Sequence, residues 1–139
     1  MEVRPHDRFS REVRLTAESV AQYATAAGDC NPVHFDSEFA AKTRYGRLIA
    51  SGTQTTALLL GLTAAHFSQG MSMVGLEYWV KFKRPVFADE MIRLEWLVIK
   101  VTPHSRLGGY IVDLRGRVRG ENGQTAIGAK GRLLVTNTL

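Results

Sequence analysis

The segment SGTQTTALLLGLTAAHFS, from Ser51 to Ser68, presents small or apolar residues on nearly every side of a helix. A helix lying on a surface keeps one polar face, so a helix without one has to be enclosed by protein. At about 16 residues it is roughly 24 Å long. It is shorter than a bilayer span and contains threonines and His66, so the expectation is burial in protein and not in a membrane. A chain with such a helix must also supply something long enough to wrap it.

The remainder of the chain supplies that wrap. Met71 to Phe82, Glu90 to Val101, Gly109 to Arg119 and Gln124 to Thr136 read as strands, separated by Arg84-Pro85, Pro103-His104 and Glu121-Asn122-Gly123. Ile92, Leu94, Trp96 and Val98 alternate onto one strand face, and Tyr110, Val112, Leu114 and Val118 onto another. Asn122-Gly123 predicts a type I′ hairpin.

Upstream, Arg8 to Leu15 is strand-like, and Thr16 can cap a helix with Val20, Tyr23, Ala24 and Ala27 on one face. Gly28 suits the left-handed position that ends it. Pro32 then forces an irregular loop from Asp29 to Phe35. Asp36 or Ser37 can cap a short helix, SEFAAKTR, which Gly46 ends. These elements predict an α+β chain: a single domain over residues 1–139 whose long central helix is wrapped by a curved antiparallel β-sheet, the arrangement called a hotdog fold.

Composition agrees with one core. The 139 residues are 45% hydrophobic and 22% charged, as in ordinary globular proteins. Cys30 is the only cysteine and the N-terminus lacks an apolar leader, so a cytoplasmic location without disulfides is expected. The net charge of +5 suits either nucleic acid or a phosphate-rich carrier. Arg115, Arg117 and Arg119 share a strand face, and Lys81, Lys83 and Arg84 cluster at a strand end. No stacking aromatics interleave with either group, which disfavours nucleic acid. Solvated faces are the ordinary reading, with coenzyme A phosphates as the alternative.

Chemistry concentrates in GDCNPVHFD, Gly28 to Asp36. The Asn31-Pro32 turn can fold the chain so that Asp29 and His34 face one cleft and share a water. Together with YGRLIASG (Tyr45 to Gly52) and FKRPVFADE (Phe82 to Glu90), this segment resembles the MaoC-like dehydratase family, which includes the R-specific enoyl-CoA hydratases.

The resemblance implies a hydro-lyase of fatty acid metabolism that reversibly hydrates 2-enoyl-CoA to 3-hydroxyacyl-CoA. Asp29 and His34 would form the catalytic dyad, and the Gly52 amide at the helix N-terminus would bind the thioester carbonyl. Asn31 would orient the loop. Ser51 stands where many relatives have histidine and would cap the helix. Because Asp29 and His34 sit on a loop, Asp29→Asn and His34→Ala are expected to leave folding nearly unchanged.

No cofactor is expected beyond coenzyme A as part of the substrate, the partner being an acyl-CoA or acyl-carrier thioester. A homodimer or higher homo-oligomer is expected, because a lone subunit would expose a sheet edge and apolar surface. Two other readings remain open. A hotdog thioesterase commonly takes a carboxylate from the central helix, yet Thr53 to Gly70 holds no Asp or Glu. A non-catalytic thioester-binding module would have no need of the dyad. Cys30 reads as a bystander, and His6, His66 and His104 lack the spacing of a metal site.

Overall fold

The computed structural model describes residues 2–137 and 139. Strand β1 (Arg8–Arg14) leads into helix α1 (Ala17–Ala27), a 3-10 turn (Pro32–His34), the short helix α2 (Ser37–Ala41) and the long helix α3 (Gly52–Phe67). Four strands complete the chain: β2 (Ser72–Phe82), β3 (Met91–His104), β4 (Gly109–Arg119) and β5 (Thr125–Thr136). They form one antiparallel sheet with β1 in the order β1-β3-β4-β5-β2, and α3 packs across it.

Alternation places Ile92, Leu94, Trp96 and Val98 in the core, as expected, facing Leu59, Leu62 and Phe67 of α3. Each such large apolar side chain contributes roughly 1.5–3 kcal/mol on burial. On β4 the inward set is Val112, Leu114 and Val118, while Tyr110 stands exposed at the strand's open end.

Two polar ties hold α3 to the sheet. The Trp96 indole N–H donates to the Leu59 carbonyl at 2.8 Å, and the Tyr78 hydroxyl lies 2.8 Å from Thr63 Oγ1. The Trp96 ring fits only because Gly116 faces it across the sheet: a Cβ there would lie 2.5 Å from the ring.

Local chemistry explains the element ends, including three departures from expectation. Helix α1 begins where Thr16 Oγ1 accepts from the Ser19 amide, and α2 where Asp36 accepts from Glu38 and Phe39. First, α2 stops at Ala41 instead of running to Arg44, because Thr43 Oγ1 donates to the Ala40 carbonyl and turns the chain.

Second, β3 continues through Pro103 to His104; β1 pairs only as far as Leu97, so Pro103 has a strand on one side alone. Third, the hairpin after β4 is not type I′. Gly123 has φ 81°, but Asn122 is not left-handed, and the Gly123 amide donates to the Gly120 carbonyl. A type I′ turn needs both central residues left-handed.

Candidate active site

Helix α1 delivers the first site residue. Gly28 ends the helix at φ 74°, and the following amide, that of Asp29, donates to the Ala24 carbonyl at 2.8 Å. The Asp29 carboxylate then organises the loop: Oδ1 accepts from the Asn31 amide at 3.0 Å. Asn31 is extended, as a residue before proline prefers, and its own Oδ1 accepts from the Val33 amide at 3.2 Å. Where an irregular loop is expected, Pro32, Val33 and His34 make a 3-10 turn with proline in its tolerated first position.

That turn brings the two acid/base candidates together. His34 Nε2 lies 3.1 Å from Asp29 Oδ2. The other ring nitrogen, Nδ1, is 2.7 Å from the Ile49 carbonyl. A carbonyl oxygen only accepts, so Nδ1 carries a proton and Nε2 is the nitrogen left for exchange. With Nδ1 on that carbonyl, Nε2 is the ring nitrogen that faces the Asp29 carboxylate.

The two side chains differ in setting. Asp29 is 33% exposed at its side chain and His34 only 7%. The expectation that both stand clear of the core therefore fails for His34, which is packed in and hydrogen-bonded. Removing it strands the Ile49 carbonyl, at a cost of about 1–3 kcal/mol.

The segment leading into α3 closes the site. The Ile49 amide donates to the Val33 carbonyl at 3.3 Å, and Ile49 also bridges to Phe87. Three residues later α3 begins at Gly52, whose amide points from the helix start with no acceptor among the described residues. A Cβ on Gly52 would lie 2.7 Å from the Phe82 ring. Ser51 occupies the capping position without capping: its Oγ is 2.7 Å from Thr53 Oγ1 and makes no hydrogen bond to the helix backbone.

Asp29, His34, Ser51 and Gly52 line one cleft of about 680 Å³ with Tyr45, Thr55 and Phe82, and Arg44, Lys83 and Arg84 border it. Asn31 does not line it. Sequence reasoning missed the Ile49 carbonyl and the Phe82 ring. A backbone acceptor has no residue-type signature, and Phe82 reads simply as the last residue of a strand.

The remaining candidates stay apart. Cys30 is exposed. His66 stacks on Phe9 at 3.9 Å, and burial lowers its pKa. His104 Nδ1 accepts from the Leu107 amide, and His6 sits in a left-handed turn. No helix among the described residues is long and apolar enough to cross a membrane.

Known proteins are similar to this chain in sequence and fold. Residues 3–113 match the model of the MaoC like domain. An (R)-specific enoyl-CoA hydratase of Aeromonas caviae is 34% identical over 95 residues, covering 68% of this chain and 69% of that protein. A 3-hydroxybutyryl-CoA dehydratase of Methylorubrum extorquens is 27% identical over 92 residues, 66% of this chain, and the match spans 58% of that longer protein. The solved (R)-hydratase of A. caviae superposes with a TM-score of 0.83 at 26% identity, covering 94% of this chain and 96% of that one. With the hotdog arrangement in place and the family model matching most of its length, this chain belongs to the MaoC-like dehydratase family.

Proposed function

We propose that this protein is a hydro-lyase that reversibly adds water across the double bond of a 2-enoyl-CoA to give a 3-hydroxyacyl-CoA. The observation carrying the proposal is the 3.1 Å contact between His34 Nε2 and Asp29 Oδ2, with Nδ1 held on a carbonyl. A carboxylate and an imidazole in such contact at the wall of a cleft can pass a proton between them, which supports this reading.

Hydration needs that pair. One member takes a proton from water as the oxygen bonds to C3; the other gives a proton to C2. Between these events negative charge gathers on the thioester oxygen, where the Gly52 amide and the start of α3 stabilise it. Both proton carriers lie on one loop, so water and proton add from the same side. The names of the relatives support the R configuration for the product. Asn31 positions the dyad through its bond to the Val33 amide, and Ser51 shapes the wall beside Gly52.

Coenzyme A enters as part of the substrate, and the reaction calls on no further cofactor. A homodimer is the proposed assembly. Strand β2 is a sheet edge whose exposed Val74 and Leu76 give a second copy both hydrogen-bonding groups and apolar surface. A cytoplasmic location belongs to the same proposal.

The test is incubation with 2-enoyl-CoAs of increasing chain length, following the conjugated-thioester absorbance and free thiol separately. Loss of absorbance without thiol release is expected. Thiol release at the same rate would replace hydration with hydrolysis, and neither signal would reduce the protein to a binding module.

A further inference from the structure

The catalytic cleft uses the face of the sheet that holds α3; the opposite face carries a second hollow of about 550 Å³. Side chains alternate along strands, so the register arranges this outer face as rows. One row reads Arg8, Leu97, Arg115, Lys130, Trp79 across all five strands; the next reads Ser10, Glu95, Arg117, Gly128, Lys81. Gly128 leaves a gap in the second row. The only atoms near a Cβ placed there are Lys83 Cε at 3.4 Å and Nζ at 3.6 Å. The hollow is therefore floored by glycine backbone and ringed by cations.

Four of those cations lack an ionic partner among the described residues. Glu95 is the one carboxylate in the hollow, and it is taken by Arg93 at 2.9 Å, Arg117 at 2.7 Å and Arg119 at 3.0 Å. Lys81, Lys83, Arg115 and Lys130 form no ion pair among the described residues. Moreover, Arg115 and Lys130 are direct cross-strand neighbours. Like charges so placed repel and oppose folding unless an anion lies between them.

Trp79 indicates which anion. The residue is 53% exposed at the end of the row, with Lys130 Nζ 5.6 Å from its ring centre. A flat aromatic face next to clustered ammonium and guanidinium groups matches a base joined to phosphates. The hollow's volume is that of a small-molecule site, whereas a protein partner needs about 800 Å² on each side.

We propose that this hollow binds a phosphorylated nucleotide, with its phosphates among Lys81, Lys83, Arg115 and Lys130 and its base against Trp79. Two sources share that chemistry: a free nucleotide, or the nucleotide end of a coenzyme A thioester. Lys83 lines both the hollow and the catalytic cleft, so a thioester could pass it. Binding itself does not depend on the hydratase reading; only the second source does.

The experiment is calorimetric titration of the full chain with adenosine 3′,5′-bisphosphate and with ATP, for wild type, Arg115→Ala/Lys130→Ala and Trp79→Leu. Saturable binding of at least one probe is expected, weakened tenfold or more by the double variant and by raised salt, and also weakened by Trp79→Leu. Because the double variant removes a repulsive pair, its melting temperature should not fall, which separates lost binding from lost folding.

Competition of the bisphosphate with enoyl-CoA turnover, and a raised KM for the coenzyme A thioester but not for its pantetheine counterpart, would identify the substrate's own nucleotide end. Binding without competition would identify a free nucleotide. No saturable binding up to millimolar probe, or equal affinity in wild type and the double variant, overturns the site whether or not the protein hydrates anything.

Discussion

Replacing Asp29 by asparagine separates the chemistry of the carboxylate from its structural duties. Asparagine keeps an oxygen at Oδ1 to accept from the Asn31 amide, now 3.0 Å away. Its NH₂ falls where Oδ2 stood, 3.1 Å from His34 Nε2, and can donate to that nitrogen once the imidazole is neutral. The loop therefore keeps both contacts, and stability should change by no more than about 1 kcal/mol. The carboxylate able to exchange a proton with water is gone.

A positioned acid or base contributes on the order of 10²–10⁴-fold, or about 2.7–5.4 kcal/mol of barrier. We expect kcat and kcat/KM for enoyl-CoA hydration to fall together by that factor, since the lost interaction acts in the transition state. The assay is initial-rate loss of conjugated-thioester absorbance, with a urea melt on the same preparation. A variant that melts like wild type and turns over within about threefold of it would refute the dyad.

Three further substitutions probe the neighbouring structure. Gly52→Pro, made together with Phe82→Ala to clear the ring, removes the α3 amide while keeping a residue suited to the first helical position; Ser51, at ψ 134°, already accepts a following proline. Relative to Phe82→Ala alone it should lose roughly 10²–10³-fold in kcat, and equal rates would exclude the amide as carbonyl donor. Gly116→Ala drives a Cβ to 2.5 Å from a Trp96 ring that is 2% exposed and tied to Leu59. It should cost at least about 2 kcal/mol in a denaturant melt, and an unchanged midpoint would show that the ring moves freely.

Glu90→Gln tests a pH effect. Burial raises the Glu90 pKa, offset only in part by the Glu121 backbone amide and by Arg47 at 3.6 Å. Glu90 thus holds its proton to higher pH in the folded chain than in the unfolded one, and ionisation opposes folding. That penalty begins as pH rises past the unfolded value and is complete above the folded value. The glutamine variant should be the more stable at neutral pH and lose its advantage below about pH 4, read from melting temperatures across pH; a variant less stable at neutral pH would overturn the assignment.

Much of this fold is legible in the chain because it follows from local periodicity. The alternation in β3 states its own burial, and Thr16, Gly28 and Asp36 mark helix ends through short-range hydrogen bonds; α3, which lacks a charged face, is nevertheless buried on one side only, with Thr53, Ala57 and Gly61 exposed. What is not legible depends on relations between distant residues. The pairing of Arg115 with Lys130, and the gap at Gly128, exist only once strand register is set, and register is a property of two strands together. The burial of His34 has the same origin, since Ile49 approaches it from a separate segment. The turn at Asn122-Gly123 went another way because a four-residue turn between Gly120 and Gly123 needs only one left-handed residue.

Ile49 holds the His34 imidazole through its carbonyl and the loop backbone through its amide, and three residues later the same stretch becomes the start of α3. The proton carrier and the proposed carbonyl donor are thus set by one short length of backbone, like the two jaws of a caliper on a common beam. Lengthening or shortening the chain between Ile49 and Gly52 by a single residue would leave each jaw intact and alter the gap between them. Such a variant should fold and still hold the dyad's contact, yet fail on a thioester whose carbonyl and double bond are a fixed distance apart.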